Sequence, residues 1–153
     1  MKRFSAILFF LIPALIVSGC SKGSQTTSSQ SAAPEATASP SGPPMSTQMR
    51  TGMSTYNLNC ATCHGAKGQG QVGAFPPLDG NGTVTGDPKA VIRIVKLGLK
   101  GPMRMKGVMY NGQMPAWNGS LSDEQIAAVV TYIRGAWTNA APAVSTAQVT
   151  AEK

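Results

Sequence analysis

Cys60-Ala61-Thr62-Cys63-His64 places two thiols one helical turn apart, with an imidazole directly behind them. A cysteine pair at this spacing could bind zinc, exchange disulfides, close a disulfide or attach a haem. Zinc would want two further Cys or His ligands, and His64 is the single histidine of the chain. A thioredoxin-like exchange site would sit in a βαβ setting, and no such pattern surrounds the motif. In a Cys-x-x-Cys-His run each thiol can add to a haem vinyl group while the histidine reaches the iron from the proximal side. The pentapeptide therefore predicts one covalent haem c, held through Cys60 and Cys63 with His64 on the iron.

A six-coordinate iron needs a second axial ligand. With no other histidine present, a methionine is expected, whose thioether favours the ferrous state and raises the potential. Met103, Met105, Met109 and Met114 lie downstream. Met114 comes first, Met109 second and Met103 third. Pro115 biases the backbone of Met114 toward an extended form, and Asn111-Gly112-Gln113 is a turn-rich stretch able to hold a side chain over a flat group. Core filling, a common task of methionine, is the other use open to Met114.

Three helices are predicted to position these groups. Leu121-Ser122-Asp123-Glu124-Gln125-Ile126 reads as an N-terminal signal, with Ser122 as cap, Gln125 as reciprocal partner and Leu121 with Ile126 as hydrophobic staple. Ile126, Val129, Val130, Ile133 and Trp137 then recur on one helical face. A second helix starts at Asp87-Pro88, carries Val91, Ile92, Ile94, Val95 and Leu97, and stops at Gly98. A third precedes Cys60, with Met49, Met53, Tyr56 and Cys60 at spacings of four, three and four. Nothing alternates convincingly at period two, so the class is all-α, with linking segments 65–86 and 98–120 rich in Gly and Pro. Three short helices with such loops supply little core. A domain of this size usually needs a staple, and a haem wrapped by the loops would provide it.

Within this domain, 49–138, the sequence resembles the class I monohaem cytochromes c. Gly52 and Tyr56, eight and four residues before Cys60, match the positions that pack on the C-terminal helix in that family, and Val129 and Tyr132 match their partners. Pro76, twelve residues after His64, matches the proline whose carbonyl accepts a hydrogen bond from the haem histidine. Met114-Pro115 matches the family's ligand motif. The resemblance implies an all-α cytochrome c fold, with three main helices and Gly/Pro-rich loops around one haem. Its function would be electron transfer, with Cys60, Cys63, His64, Met114 and Pro76 as cofactor-binding residues. The segments 111–117 and 134–137 further resemble small bacterial cytochromes that act as free carriers or as haem domains of dehydrogenases and nitrite reductases. Trp117 and Trp137 would pack against the haem edge or the terminal helix.

The chain opens on Met1-Lys2-Arg3 and an apolar run from Phe4 to Val17, too short to span a bilayer stably but suited to export. Val17-Ser18-Gly19-Cys20 resembles a bacterial lipobox, which makes 1–19 a lipoprotein signal peptide and Cys20 the lipidated N-terminus. The alternative is an ordinary signal peptide cut nearby, with a stray thiol at Cys20. Ser21 resembles an outer-membrane sorting residue. Residues 20–48, mostly Ser, Thr, Ala, Pro, Gln and Gly, are expected to be a disordered tether with a reach of about 30 Å. Residues 139–153 are expected to be a flexible tail, loose or wrapped on the surface.

The formal net charge of 153 residues is +7. Loss of Lys2 and Arg3 would leave eleven basic against six acidic residues, or +5. No aromatic–basic motif suggests nucleic acid, and an exported chain meets little of it. The surplus fits steering toward an acidic redox partner. Arg93, Lys96, Lys100, Arg104 and Lys106 crowd fourteen residues, either as a docking patch or as a solvated helix face. The expected function is an electron carrier anchored to the membrane and facing the periplasm or exterior, acting as a monomer or complex subunit. A fixed subunit of a dehydrogenase or reductase, and a haem sensor or peroxidase-like enzyme, are the alternatives.

Overall fold

A computed structural model describes residues 45–153. The signal segment 1–19, Cys20, Ser21 and the tether as far as residue 44 lie outside the described residues.

The first helix, α1 (Thr47–Asn59), starts two residues before the expected boundary because Ser46 caps it, accepting from Met49 N at 3.2 Å. Its buried face is Gly52, Thr55 and Tyr56, whereas Met53 turns outward at 36% exposure. Of the anticipated stripe Met49, Met53, Tyr56 and Cys60, Tyr56 is the buried centre, Met49 and Cys60 are half-buried, and Met53 alone faces out. α2 (Ala61–His64) is a single turn that carries the motif, closed by Gly65 at φ +78°. A short α3 (Gly82–Thr85), unanticipated, is capped by Asn81. α4 (Pro88–Leu97) has the expected cap at Asp87, first-turn proline and terminal Gly98, and it buries Val91, Ile92 and Val95. α5 (Asp123–Gly135) forms the full capping box: Ser122 Oγ accepts from Gln125 N at 3.3 Å, and Gln125 Oε1 from Ser122 N at 2.9 Å.

α1 and α5 cross closely. A Cβ on Gly52 would lie 2.1 Å from the Ala128 carbonyl oxygen, so only glycine allows this approach. Tyr56, fully buried, meets Tyr132 at a ring separation of 5.5 Å and Trp137 at 5.3 Å. Trp137 does not continue the α5 face. The helix ends at Gly135, and Trp137 takes φ +57°, which swings its ring onto Gly68 and the two tyrosines.

Two features depart from expectation. β1 (Met103–Met105) and β2 (Val108–Tyr110) form an antiparallel hairpin, with Lys106 at φ +47° and Gly107 at φ +82° in its turn. The molecule is thus mostly helical rather than purely so. Three-residue strands give no period long enough to stand out, and Lys-Gly is a weaker turn signal than Asn-Gly. Second, residues 139–153 are not a flexible tail. α6 (Thr146–Ala151) packs against α4 and α5, and Val144 and Val149 are 1% and 0% exposed. Their small apolar side chains are too few to show a period, yet each fills a core position. None of the described helices is long and apolar enough to cross a membrane.

Candidate cofactor site

α1 runs into α2 through Cys60, whose amide bonds to the Tyr56 carbonyl at 2.8 Å, while its own carbonyl accepts from His64 N at 2.9 Å. This geometry seats Cys60, Cys63 and His64 along one wall of a cleft with about 150 Å³ of interior space. Burial pushes the Cys60 thiol up to about 11, with the neighbouring Cys63 adding to the effect. No group of three or more Cys, His, Asp or Glu able to hold a metal ion occurs among the described residues.

His64 is 9% exposed, and its Nδ1 lies 2.9 Å from the Pro76 carbonyl oxygen. A carbonyl only accepts, so Nδ1 carries the proton and Nε2 keeps a free lone pair. Burial lowers the imidazole pKa, partly opposed by the Pro76 bond, which favours the neutral ring that a metal ligand requires. Tyr56 Oη donates to the Gly65 carbonyl and so ties the aromatic cluster to the turn behind the histidine.

Met114 lines the same cleft, half-buried. It is held by a two-way bridge to Leu99, with N···O distances of 3.0 Å in both directions. Gly98 makes this possible. At φ +75° it ends α4, and a Cβ there would lie 2.6 Å from the Met114 carbonyl oxygen. On the other flank Gly112 N bonds to the Ala74 carbonyl at 2.8 Å and Asn111 N to Gly73 at 3.1 Å. The Met114 loop is thereby stitched to the segment that presents Pro76.

The hairpin sorts the remaining methionines. Met103, Met105 and Tyr110 share the face toward the cleft, while Arg104 and Met109 point away, Met109 at 38% exposure. Met109, second in the sequence ranking, is thus turned off the site because its strand position has the wrong parity. Trp117 also lines the cleft, whereas Trp137 belongs to the aromatic cluster.

The rest of the lining is mostly apolar, with Val84, Val91, Ile94, Val95, Leu99 and Val129 among it, and Asn59, Asn81, Thr83 and Gln113 add a few polar side chains. Two thiols, one imidazole with a free Nε2 and several thioethers around an apolar slot fit a flat, largely apolar iron porphyrin. Missed by sequence reasoning were Tyr110 and the brace made by Arg134 and Asn139. Arg134, 2% exposed, donates to the carbonyls of Val84 at 2.6 Å, Gly86 at 3.0 Å and Pro142 at 3.0 Å. Asn139 Nδ2 donates to Leu78 and Ile133, and its Oδ1 accepts from Gly80 N. Only an interrupted apolar face on α5 could have signalled Arg134.

The basic cluster divides. Lys96 is withdrawn, its side chain 12% exposed, and Arg93 pairs with Glu152 at 3.7 Å. Lys100, Arg104 and Lys106 remain exposed.

The family described as cytochrome c oxidase, cbb3-type, subunit III matches residues 47–133. Cytochrome c-552 of Thermus thermophilus is 42% identical over 85 residues, covering 53% of this chain and 64% of that protein. Cytochrome c6 of Tetradesmus obliquus is 30% identical over 93 residues, 58% of this chain and 90% of that one. The cytochrome c subunit of alcohol dehydrogenase (quinone) from Gluconacetobacter polyoxogenes is 38% identical over 104 residues, 63% of this chain and 20% of the subunit. The chain therefore spans a little under two thirds of the Thermus protein and a fifth of the dehydrogenase subunit.

Proposed function

This chain belongs to the class I cytochrome c family, and from that we propose that it carries single electrons between redox partners on the outer side of a bacterial membrane. The observation that carries the proposal is the convergence of Cys60, Cys63, His64 and Met114 on one apolar cleft. Haem c, when bound, supplies a one-electron ferric–ferrous couple. Cys60 and Cys63 would hold it through thioether bonds, and His64 would offer Nε2 to the iron. The Pro76 carbonyl fixes the ring and raises its basicity, since it accepts the Nδ1 proton. Met114 would supply a thioether ligand, and a mostly apolar lining would surround the haem; both favour the ferrous state. Held by both His64 and Met114, the iron would serve electron transfer rather than substrate binding.

Comparing the ferric optical spectrum and reduction potential of the parent with Met114→Ala tests this. The parent should show methionine-to-iron ligation. The variant should keep covalent haem but drop in potential by a measurable part of the roughly 0.8 V that axial ligands command. An unchanged potential would pass the ligand role to Met103 or Met105, which share the cleft. A high-spin ferric parent would favour a sensor or peroxidase-like enzyme instead.

The likeness to a named dehydrogenase subunit supports a second reading, a fixed subunit of a larger oxidoreductase. Copurification with a much larger complex in mild detergent would favour it over the free carrier.

For location, the Val17-Ser18-Gly19-Cys20 ending supports removal of 1–19, lipid on Cys20 and a tethered haem domain facing the periplasm or exterior. Mass spectrometry of the mature N-terminus should find a diacylated cysteine, and a free thiol at Cys20 would overturn this. For docking, the exposed Lys100, Arg104 and Lys106 support an acidic redox partner.

A further inference from the structure

Lys96, in the last turn of α4, faces two ways. Its carbonyl accepts from the amides of Trp117 and Asn118, both at 3.2 Å, and Trp117 N is also 3.1 Å from the Val95 carbonyl. These bonds satisfy helix-end carbonyls that have no partner within the helix, and they seat the loop just beyond Met114. Two and three residues on, Gly98 abuts the Met114 backbone and Leu99 bridges it. The side chain of Lys96 runs the other way. Nζ donates to the Val149 carbonyl of α6 at 2.8 Å and lies 3.4 Å from Asp123 Oδ1, whose other oxygen accepts from Thr150 Oγ1 at 2.7 Å.

Three things make this more than a surface contact. The side chain is 12% exposed, so the ammonium depends on these partners in place of water. α6 is pinned by Val149, fully buried in the core. The family match ends at residue 133, so α6 lies beyond the matched body.

We infer that Lys96 is a positioning residue through which α6 holds the Met114 loop against the cleft, so that the C-terminal segment governs how readily Met114 leaves the iron. This rests on Met114 being the axial ligand. An external ligand can bind only when Met114 is off, and its apparent affinity scales with that open fraction. Unfastening Nζ frees the last turn of α4 to fray, and the bridge at Leu99 loosens with it.

The test is a spectroscopic titration of the ferric holoprotein with imidazole, well below the melting temperature. Lys96→Met keeps the aliphatic stem and removes the ammonium; deletion of 145–153 removes α6. Each should bind imidazole about ten-fold more tightly than the parent, reflecting a ten-fold larger open fraction. Lys96→Arg, which keeps charge and donors, and Arg93→Gln, which cuts only the longer pair from the exposed Arg93 to Glu152, should match the parent. If the deletion fails to fold, Lys96→Met decides alone. Unchanged affinity in Lys96→Met overturns the inference, even with a lowered melting temperature, because α6 is then only a brace. An equal rise in Lys96→Arg also overturns it, by placing the effect in packing. Met114→Ala separates the two proposals: if it binds imidazole no better than the parent, the ligand assignment has failed instead.

Discussion

Gly98 joins the end of a helix to the seat of Met114, the proposed iron ligand, and both tasks require the absence of a side chain. Its φ of +75° with ψ of −179° lies in a region nearly restricted to glycine and costs an L-residue about 1–3 kcal/mol, and the 2.6 Å approach to the Met114 carbonyl adds a steric cost. Gly98→Ala should therefore lower stability and also displace Met114, read as a drop in potential with covalent haem retained. A loss of stability at constant potential would mean the loop accommodates a methyl group. Gly52→Ala is the contrasting case. Its Cβ would strike Ala128 across the α1–α5 crossing, so it should cost about 1–3 kcal/mol in a melt and leave the potential alone. At this scale the motif residues were legible because chemistry dictates their types. Gly98 was legible only as a helix stop, since its second contact depends on a loop that returns sixteen residues later.

Helices announced themselves where their ends carry hydrogen-bonding side chains. Ser122 and Gln125 form the predicted reciprocal pair, and Ser122→Ala should cost about 1 kcal/mol, or roughly 4–8 °C in melting temperature for a domain this size. α6 has an equivalent box at Ser145 and Gln148, but it is six residues long and low in large apolar side chains, so composition disguised it as a tail. Its hold on α5 passes partly through Asp123, whose carboxyl is kept below the usual range chiefly by the Thr150 hydroxyl, then by Lys96. A depressed carboxyl stabilises the fold above the unfolded value of about 3.9, and that contribution fades as pH falls through the lower folded value. Asp123→Asn should melt below the parent at neutral pH, and the gap should close in acid. A gap that persists in acid would assign the loss to packing rather than to charge.

At the scale of the whole molecule, the described residues form two kinds of interior. Helices α1, α4, α5 and α6 meet in a protein-only core around Tyr56, Ile92, Ile126, Val130 and Val149. The segments 98–117 instead look into the cleft, and their apolar side chains have the porphyrin as their natural neighbour. A haem-free chain, made with Cys60→Ala and Cys63→Ala, should lose amide protection at 98–117 first in hydrogen exchange. Equal protection in both forms would show that the loops fold unaided. The need for a staple was legible from the count of short helices and glycine-rich loops. What the loops do to one another, such as the stitching of Gly112 to Ala74, depends on contacts distant in sequence that no local pattern encodes.

The two-residue turn at Lys106–Gly107 sets the phase of a very short ribbon, and that phase partitions oil from charge. Slipping the pairing by a single position would rotate Arg104 inward and Met103 and Met105 into solvent. A guanidinium in the mostly apolar cleft would disfavour a ferric charge there and bring its own hydration with it. Insertion of one residue in a surface turn would thus reach the redox centre without touching any residue that binds it.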